Sequence, residues 1–416
     1  METEEENDSK APQKKTKIAT SNDTAEETPG VTIYTLISNA WSIVGYVIHF
    51  GINIYHIINY STSNKNIELI FLIGLIILNS VATAGVSAKM QYSDVETPAS
   101  ETDYERKKRG CWEKLANLKV PFLWLAVLLQ ADIFLRCIRR MYYGVKIRMY
   151  RINGNEDNLR YYNAMVKDNV NLTLLIVIRS FLFSALLLIL KMTLFFNQGS
   201  DSEIHSTIFF WCFTVISLAS NMIGYQCAVR SAQPDKHRIT IFGLGIMLLW
   251  YSGTIGARIL LIAIAASQWP LSTFLGCMLN WISWTYWIYS QKDGAHNFCR
   301  ELTRSELTEP AHLDLSTFLF SPVLAVVYTF TLVNFKEGST FLRYCFYYVL
   351  MTLQNGTVLI LDIYFGSSTD EFSVTYLYIF RILSILLFIT GIVAMLIYYM
   401  FVHPKVKCYA VTCCPV

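Results

Sequence analysis

Charge is scarce in this 416-residue sequence: Asp, Glu, Lys and Arg make up 16% of it, against 53% hydrophobic residues. A soluble domain of this length cannot hide that much apolar surface, so repeated transmembrane helices are expected instead. No excess of one sign is present either; the net charge is only +3, which leaves nucleic-acid binding unsupported. The strings that mark common active sites are missing: HExxH, GxSxG, GxxxxGK[ST] and His/Cys zinc spacings. The chain therefore reads as a non-enzyme with no metal and no cofactor. The first thirty residues lack the apolar core of a cleavable signal and are rich in Glu, Lys, Thr and Asp. Residues 1–30 read as a disordered cytoplasmic tail.

What the sequence has in abundance is apolar runs. Ten can be marked, at about 33–60, 69–88, 120–138, 170–196, 206–229, 239–267, 270–289, 315–334, 341–365 and 374–402. The third run poses a problem. In LLQADIFLRCIRR, at 128–140, Asp132 and Arg136 sit one helical turn apart and are followed by Arg139 and Arg140. The basic residues decide whether this run crosses. If all ten runs span and the tail with Lys10, Lys14, Lys15 and Lys17 is cytoplasmic, the connection after run three lies outside. That connection carries Arg139, Arg140, Lys146, Arg148, Arg151, Arg160 and Lys167, against the positive-inside bias.

If runs three and eight dip in and return, the conflict disappears. The basic stretches 89–119, 139–169, 230–238 and 290–314 then face the cytoplasm, as do Lys336, Arg343, Lys405 and Lys407. Outside remain 61–68, 197–205, the turn at 268–270 and 366–373, with Lys65 their one basic residue. Run three is also too short before Asp132 to cross, and run eight contains Pro322, which breaks the helical ladder. The expected fold is all-α and polytopic, with eight transmembrane helices and two re-entrant helical segments. The third-of-five position of each dip suggests two pseudo-repeats, 31–230 and 231–405, followed by a short cytoplasmic tail at 406–416.

Charged and polar residues inside these runs need a reason, because each costs several kcal/mol in hydrocarbon. Asp132 and Arg136 have the spacing of an intrahelical pair, which reads either as self-neutralisation or as a polar step for head groups. In the first run, Asn39, Ser42, Tyr46, His49, Asn53, His56 and Tyr60 recur at spacings of three and four. That stripe reads either as hydrogen-bonding glue between helices or as a hydrated groove. Arg179, Arg258 and Arg381 lie within runs; Arg179 is expected near mid-bilayer, with a carboxylate such as Asp132 as partner. Lys191 and Asp362 sit near run ends, where snorkelling is the ordinary expectation. Trp250, Trp269, Trp281, Trp284 and Trp287 read as belt and packing residues. The ten cysteines avoid every expected outer loop, which argues against disulfides. Cys408, Cys413 and Cys414, beside Lys405 and Lys407, are palmitoylation candidates.

Several strings resemble the XK-related family of multi-pass membrane proteins. LLQADIFLRC resembles a family string through Leu128, Leu129, Gln130, Arg136 and Cys137, and WYSGTIGARI through Trp250 and Arg258. Asn355 and His403-Pro404 sit where the family has Glu-Asn and His-Pro pairs. The departures are Ser184-Ala185-Leu186-Leu187 for a Ser-Ala-Pro-Gln string, Tyr251 and Thr254 for an Arg and a Glu, and Gln354 for a Glu. This looks like a divergent member.

The resemblance implies eight spans with two non-traversing helices, and ATP-independent phospholipid scrambling at the plasma membrane that exposes phosphatidylserine in apoptosis. Candidates for the lipid path are Asp132, Arg136, Arg179, Arg258, His49, Asn53 and His56. Caspases are implied as activators; Asp8 and Asp23 are the cleavage candidates in the tail. A single-span chaperone subunit is a further candidate partner. The rival readings are a docking partner for a bridge-type lipid-transfer protein, through the basic 139–169 segment, and a transporter or channel.

Overall fold

A computed structural model describes residues 47, 50–52, 54–63, 66–96, 131–153, 158–198, 204–233, 239–290, 315–333, 340–365 and 371–402. The tail, His49, Asn53, Asp8, Asp23, Cys408, Cys413 and Cys414 lie outside the described residues. Those described are helical almost throughout, with no strand among them. In chain order, α1 is Asn66–Glu96, α2 Ala131–Asn153 and α3 Asn158–Arg179. A π-helical turn, Ser180–Ala185, joins α3 to α4 (Leu186–Gln198). Then come α5 (Ile204–Ser231), α6 (Ile241–Gln268), α7 (Pro270–Ser290), α8 (Leu315–Tyr328), α9 (Thr340–Phe365) and α10 (Glu371–Ile397).

Among the described residues, six helices are long and apolar enough to cross a membrane: Asn66–Ala88, Tyr161–Asn197, Ile204–Ser231, Ile241–Gln268, Phe341–Phe365 and Thr375–Val402. The expectation was eight. The first expected span is described only in part, and α7, rich in Trp, Tyr, Ser and Thr, is less apolar than the six. The 37-residue window Tyr161–Asn197 rises about 55 Å, against a hydrocarbon core of about 30 Å. Its surplus belongs to the polar N-terminal part of α3, which packs along α2 as a helical hairpin.

Helix α6 is the centre of the molecule, packed against α4, α5, α7, α9 and α10. Its Leu/Ile/Ala-rich second half is buried all round, as expected of a helix with apolar residues on every side. Glycine makes the closest crossing. A Cβ on Gly253 would sit 2.6 Å from the Leu387 carbonyl oxygen and 3.0 Å from Gly391 Cα, so α6 and α10 touch backbone to backbone. One turn on, Gly256 admits the edge of Trp211 from α5; a Cβ there would lie 3.1 Å from the indole.

Helix α8 behaves differently. Its 14 described residues rise about 21 Å, less than the hydrocarbon thickness of about 30 Å, and Pro322 interrupts its ladder. It ends in non-helical backbone at 329–333 that is buried throughout. Carbonyls at a helix end need partners when no water reaches them. They find them in side chains: Tyr347 Oη donates to Tyr328 O at 2.9 Å and Tyr344 Oη to Leu332 O at 3.3 Å. Tyr328 Oη donates to Val333 O at 2.6 Å, and Arg258 Nε to Thr329 O at 3.3 Å. Tyrosines are thus placed where a broken helix needs donors. The rings of Phe181, in the π-helical turn, and Phe330 lie 5.7 Å apart, so the two irregular segments meet.

Candidate functional site

Among the described residues, polar side chains gather in several clusters inside the helices. The largest surrounds Arg258, 6% exposed, on α6. The residue lies about 15 Å from the end of α6 at Gln268, half the thickness of the hydrocarbon core. Its Nη1 donates to Asn355 Oδ1 at 2.7 Å and its Nη2 to Gln354 Oε1 at 2.6 Å, both on α9. Gln354 Nε2 in turn donates to Asn280 Oδ1 on α7 at 3.0 Å, and Asn280 Nδ2 to Thr329 Oγ1 at 3.4 Å. Arg258 thereby ties α6, α9 and the open end of α8 together. A cation there also meets the negative end of the α8 dipole. Hydrogen bonds to a charged group contribute about 1.5–3 kcal/mol each, and a charge in the bilayer costs about 2.5–3.5 kcal/mol on insertion scales. Three such bonds are enough to hold the guanidinium in place.

The second cluster is in the first half. Arg136 on α2, 2% exposed, donates from Nη2 to Ser87 Oγ at 2.7 Å and to Ser87 O at 3.3 Å on α1. The side chain of Asp132 lies outside the described residues, so the observed anchor of Arg136 is Ser87. Arg179 is buried where α3 turns into the π-helical segment. It comes about 27 Å along the helix from Asn197, nearer the basic end than the apolar run alone implies. Beside it, Ser180 Oγ donates to Ile176 O and accepts from Asn221 Nδ2 at 2.7 Å on α5.

Further along α2, two basic residues expected on a contact surface turn inward. Arg139 forms an ion pair with Asp168, and Arg140 Nη1 donates to Asn169 Oδ1 at 2.5 Å, both on α3. Burial lowers the Arg140 pKa from its ordinary value, with neighbouring Cys137 and Asp168 acting the other way. What α2 leaves exposed is Met141, Val145 and Met149 at spacings of four, with Arg148 beside them.

Two further sites, around Asp362 and around Lys191, fall where snorkelling was expected, and the structure corrects that. Asp362 is 1% exposed, and Arg381 of α10 clamps it with two hydrogen bonds, Nε to Oδ2 and Nη2 to Oδ1, the latter at 3.0 Å. Lys191 lies 3.8 Å above the Phe210 ring, with its Nζ 3.4 Å from His56 Nε2. His56 stacks on Tyr60 with ring centroids 6.2 Å apart. Of the first-run stripe, His56 and Tyr60 are described and both are buried in this aromatic packing rather than in a groove. Trp250 takes the packing role of the two expected for the tryptophans: at 1% exposure it donates from Nε1 to Tyr348 Oη at 2.7 Å within a cluster including Tyr251, Tyr344, Tyr398 and Tyr399.

Sequence reading found Arg136, Arg179 and Arg258 but missed Ser87, Asn221, Asn280 and Thr329, which are ordinary polar residues in apolar runs. Gln354 and Asn355 had one signal: they fall in a string already flagged by resemblance. Among the described residues no group of His, Cys, Asp and Glu could hold a metal ion.

A helical, multi-pass membrane protein with arginines buried and hydrogen-bonded between its helices is the class these features define. The family model for XK-related protein matches residues 37–404, most of the chain, and the chain belongs to the XK-related family. XK-related protein 9 of Tetraodon nigroviridis is similar to it, at 24% identity over 342 residues, covering 82% of this chain and 81% of that protein.

Proposed function

We propose that the chain exchanges phospholipids between the leaflets of the plasma membrane without ATP, exposing phosphatidylserine outside during apoptosis. Family membership brings this reading, and the observation that carries it in this chain is Arg258 held at mid-membrane by uncharged partners. A head group crosses slowly because it must shed water in hydrocarbon; polar side chains that replace that hydration lower the barrier while the tails stay in lipid. Arg136 with Ser87, Arg179 beside Ser180 and Asn221, and the Arg258 network are the steps of such a track. In this reading the chain has eight spans, two re-entrant segments around α2 and α8, two halves (31–230 and 231–405) and cytoplasmic termini. The short, proline-interrupted α8 supports the second dip. Caspase cleavage at Asp8 or Asp23 would be the trigger.

The exposed Met141, Val145, Met149 and Arg148 face of α2 favours one second reading: docking of a cytoplasmic lipid-transfer protein on the α2–α3 hairpin. Uptake of a fluorescent short-chain phosphatidylserine by cells expressing the chain, before and after an apoptotic stimulus, tests the first reading. Uptake above that of mock-transfected cells is expected. Uptake equal to mock in both conditions, with a lipid-transfer protein captured on the hairpin, would replace scrambling by docking.

A further inference from the structure

Arg258 carries a charge that its protein contacts do not neutralise. Its three acceptors, Asn355 Oδ1, Gln354 Oε1 and Thr329 O, are all uncharged, and no carboxylate among the described residues pairs with it. A guanidinium has five N–H groups, so these bonds leave donors over. The end of α8 supplies about half a negative charge at Thr329, which leaves about half a positive charge uncompensated. A second donor lies beside it. Asn355 is 4% exposed, its Oδ1 is committed to Arg258, and its buried Nδ2 has no acceptor. An orphaned amide donor at this depth is costly, about 1–3 kcal/mol, and needs an explanation. Net positive charge and spare N–H groups converge here, and both are satisfied by one small anion.

We propose that Arg258 and Asn355 form a monoanion site at mid-membrane, with Gln354 at its mouth, taking either the phosphodiester of a phospholipid or a halide. Access is through the pair in front of it. Gln354 and Asn280 are half-buried and join α9 to α7 by one hydrogen bond of 3.0 Å, the sort of contact that a phosphate oxygen can displace. Gln354 is about 17 Å from the end of α9 at Phe365, the same depth as Arg258 from the end of α6, so a head group there is halfway between leaflets. The phospholipid as occupant rests on the scrambling reading; the halide does not.

Gln354 decides the test. Gln354→Glu puts a carboxylate where the amide oxygen stands, 2.6 Å from Nη2, and so fills the site from within. Gln354→Met removes the same hydrogen bond and leaves the positive charge. The full chain, purified in a maltoside detergent, is melted against rising dioctanoyl phosphatidylglycerol, against a dioctanoyl glycolipid without phosphate, and against chloride replaced by gluconate at constant ionic strength. Stabilisation of wild type and Gln354→Met by the phospholipid or by chloride, but not by the glycolipid, is expected. Gln354→Glu should melt higher than wild type without ligand and lose at least tenfold in apparent affinity. A response to chloride alone keeps the anion site and removes the phospholipid from it. A wild type indifferent to both anions, or a Gln354→Glu variant that binds as wild type does, overturns the proposal. Since this is read as binding, a protein that binds and does not scramble would sink the proposed function and not the site.

Discussion

Removing Asp362 is the perturbation whose size the structure sets most clearly. The Asp362 side chain is 0% exposed and that of Arg381 21% exposed, and two hydrogen bonds join them across α9 and α10. Deleting one partner of a buried pair costs about 3–5 kcal/mol, because the other is left charged and unmatched. The partial exposure of Arg381 lets solvent recover some of that, so Asp362→Leu is expected near the lower end, about 3 kcal/mol. Arg381→Met in the same protein leaves no unmatched charge. The double variant should therefore lose less than the two single losses added, with a coupling of about 2 kcal/mol. Unfolding of detergent-purified protein, followed by the fluorescence of its nine tryptophans, measures all four corners of the cycle. Additivity within about 0.5 kcal/mol would refute the pair, as would an Asp362→Leu variant as stable as wild type, which is what a carboxylate that snorkels to head groups would give.

The other predictions rest on single contacts. Gly253→Ala sets a Cβ against the Leu387 carbonyl, which is backbone and cannot turn aside, so a loss of at least about 1–3 kcal/mol is expected in the same unfolding assay; a tolerated alanine would contradict the close crossing. Tyr347→Phe removes the donor to Tyr328 O and should destabilise by about 1–3 kcal/mol, whereas a tyrosine that merely packs would lose almost nothing with its hydroxyl. Lys191→Met loses a cation over the Phe210 ring, worth about 1–2 kcal/mol, and Lys191→Arg should keep it; equal losses in both would discard the cation–π contact. Replacing Met141, Val145 and Met149 by serine should leave stability within about 0.5 kcal/mol, since all three are exposed; a larger fall would mean that this face is packed rather than open.

Helices were legible in the sequence because apolar runs report them directly, and a lone arginine inside such a run announces itself. Hence Arg136, Arg179 and Arg258 stand out in the sequence. Most of their partners do not, for a physical reason. Arg258 bonds to residues on α9 and on the end of α8, far along the chain; nothing local marks Thr329 as a partner, and Gln354 and Asn355 stand out only through the resembling string. Asp362 and Arg381 stand out in the sequence, but their pairing does not, for a related reason. Asp362 lies in the last turn of α9, but Arg381 lies more than two turns into α10, so depths counted from the loop between them do not match. The long arginine side chain and the placement of the helices close that gap. On α2 the pattern misled: a run of basic residues looked like an outward face, yet Arg139 and Arg140 are spent on Asp168 and Asn169. His56 is the same lesson in miniature, since periodicity placed it on a stripe and only packing could show that Tyr60, Lys191 and Phe210 fill the space around it.

Lipid movement by the purified chain is the most direct test of a polar track through the membrane. Vesicles containing it, with a fluorescent phospholipid in both leaflets, are treated with dithionite, which bleaches only the outer leaflet. Bleaching of nearly all the probe, at a rate that rises with protein per vesicle, is the expected result. Bleaching that stops at about half, as in protein-free vesicles, with and without caspase treatment, would contradict a polar track built on Arg136, Arg179 and Arg258.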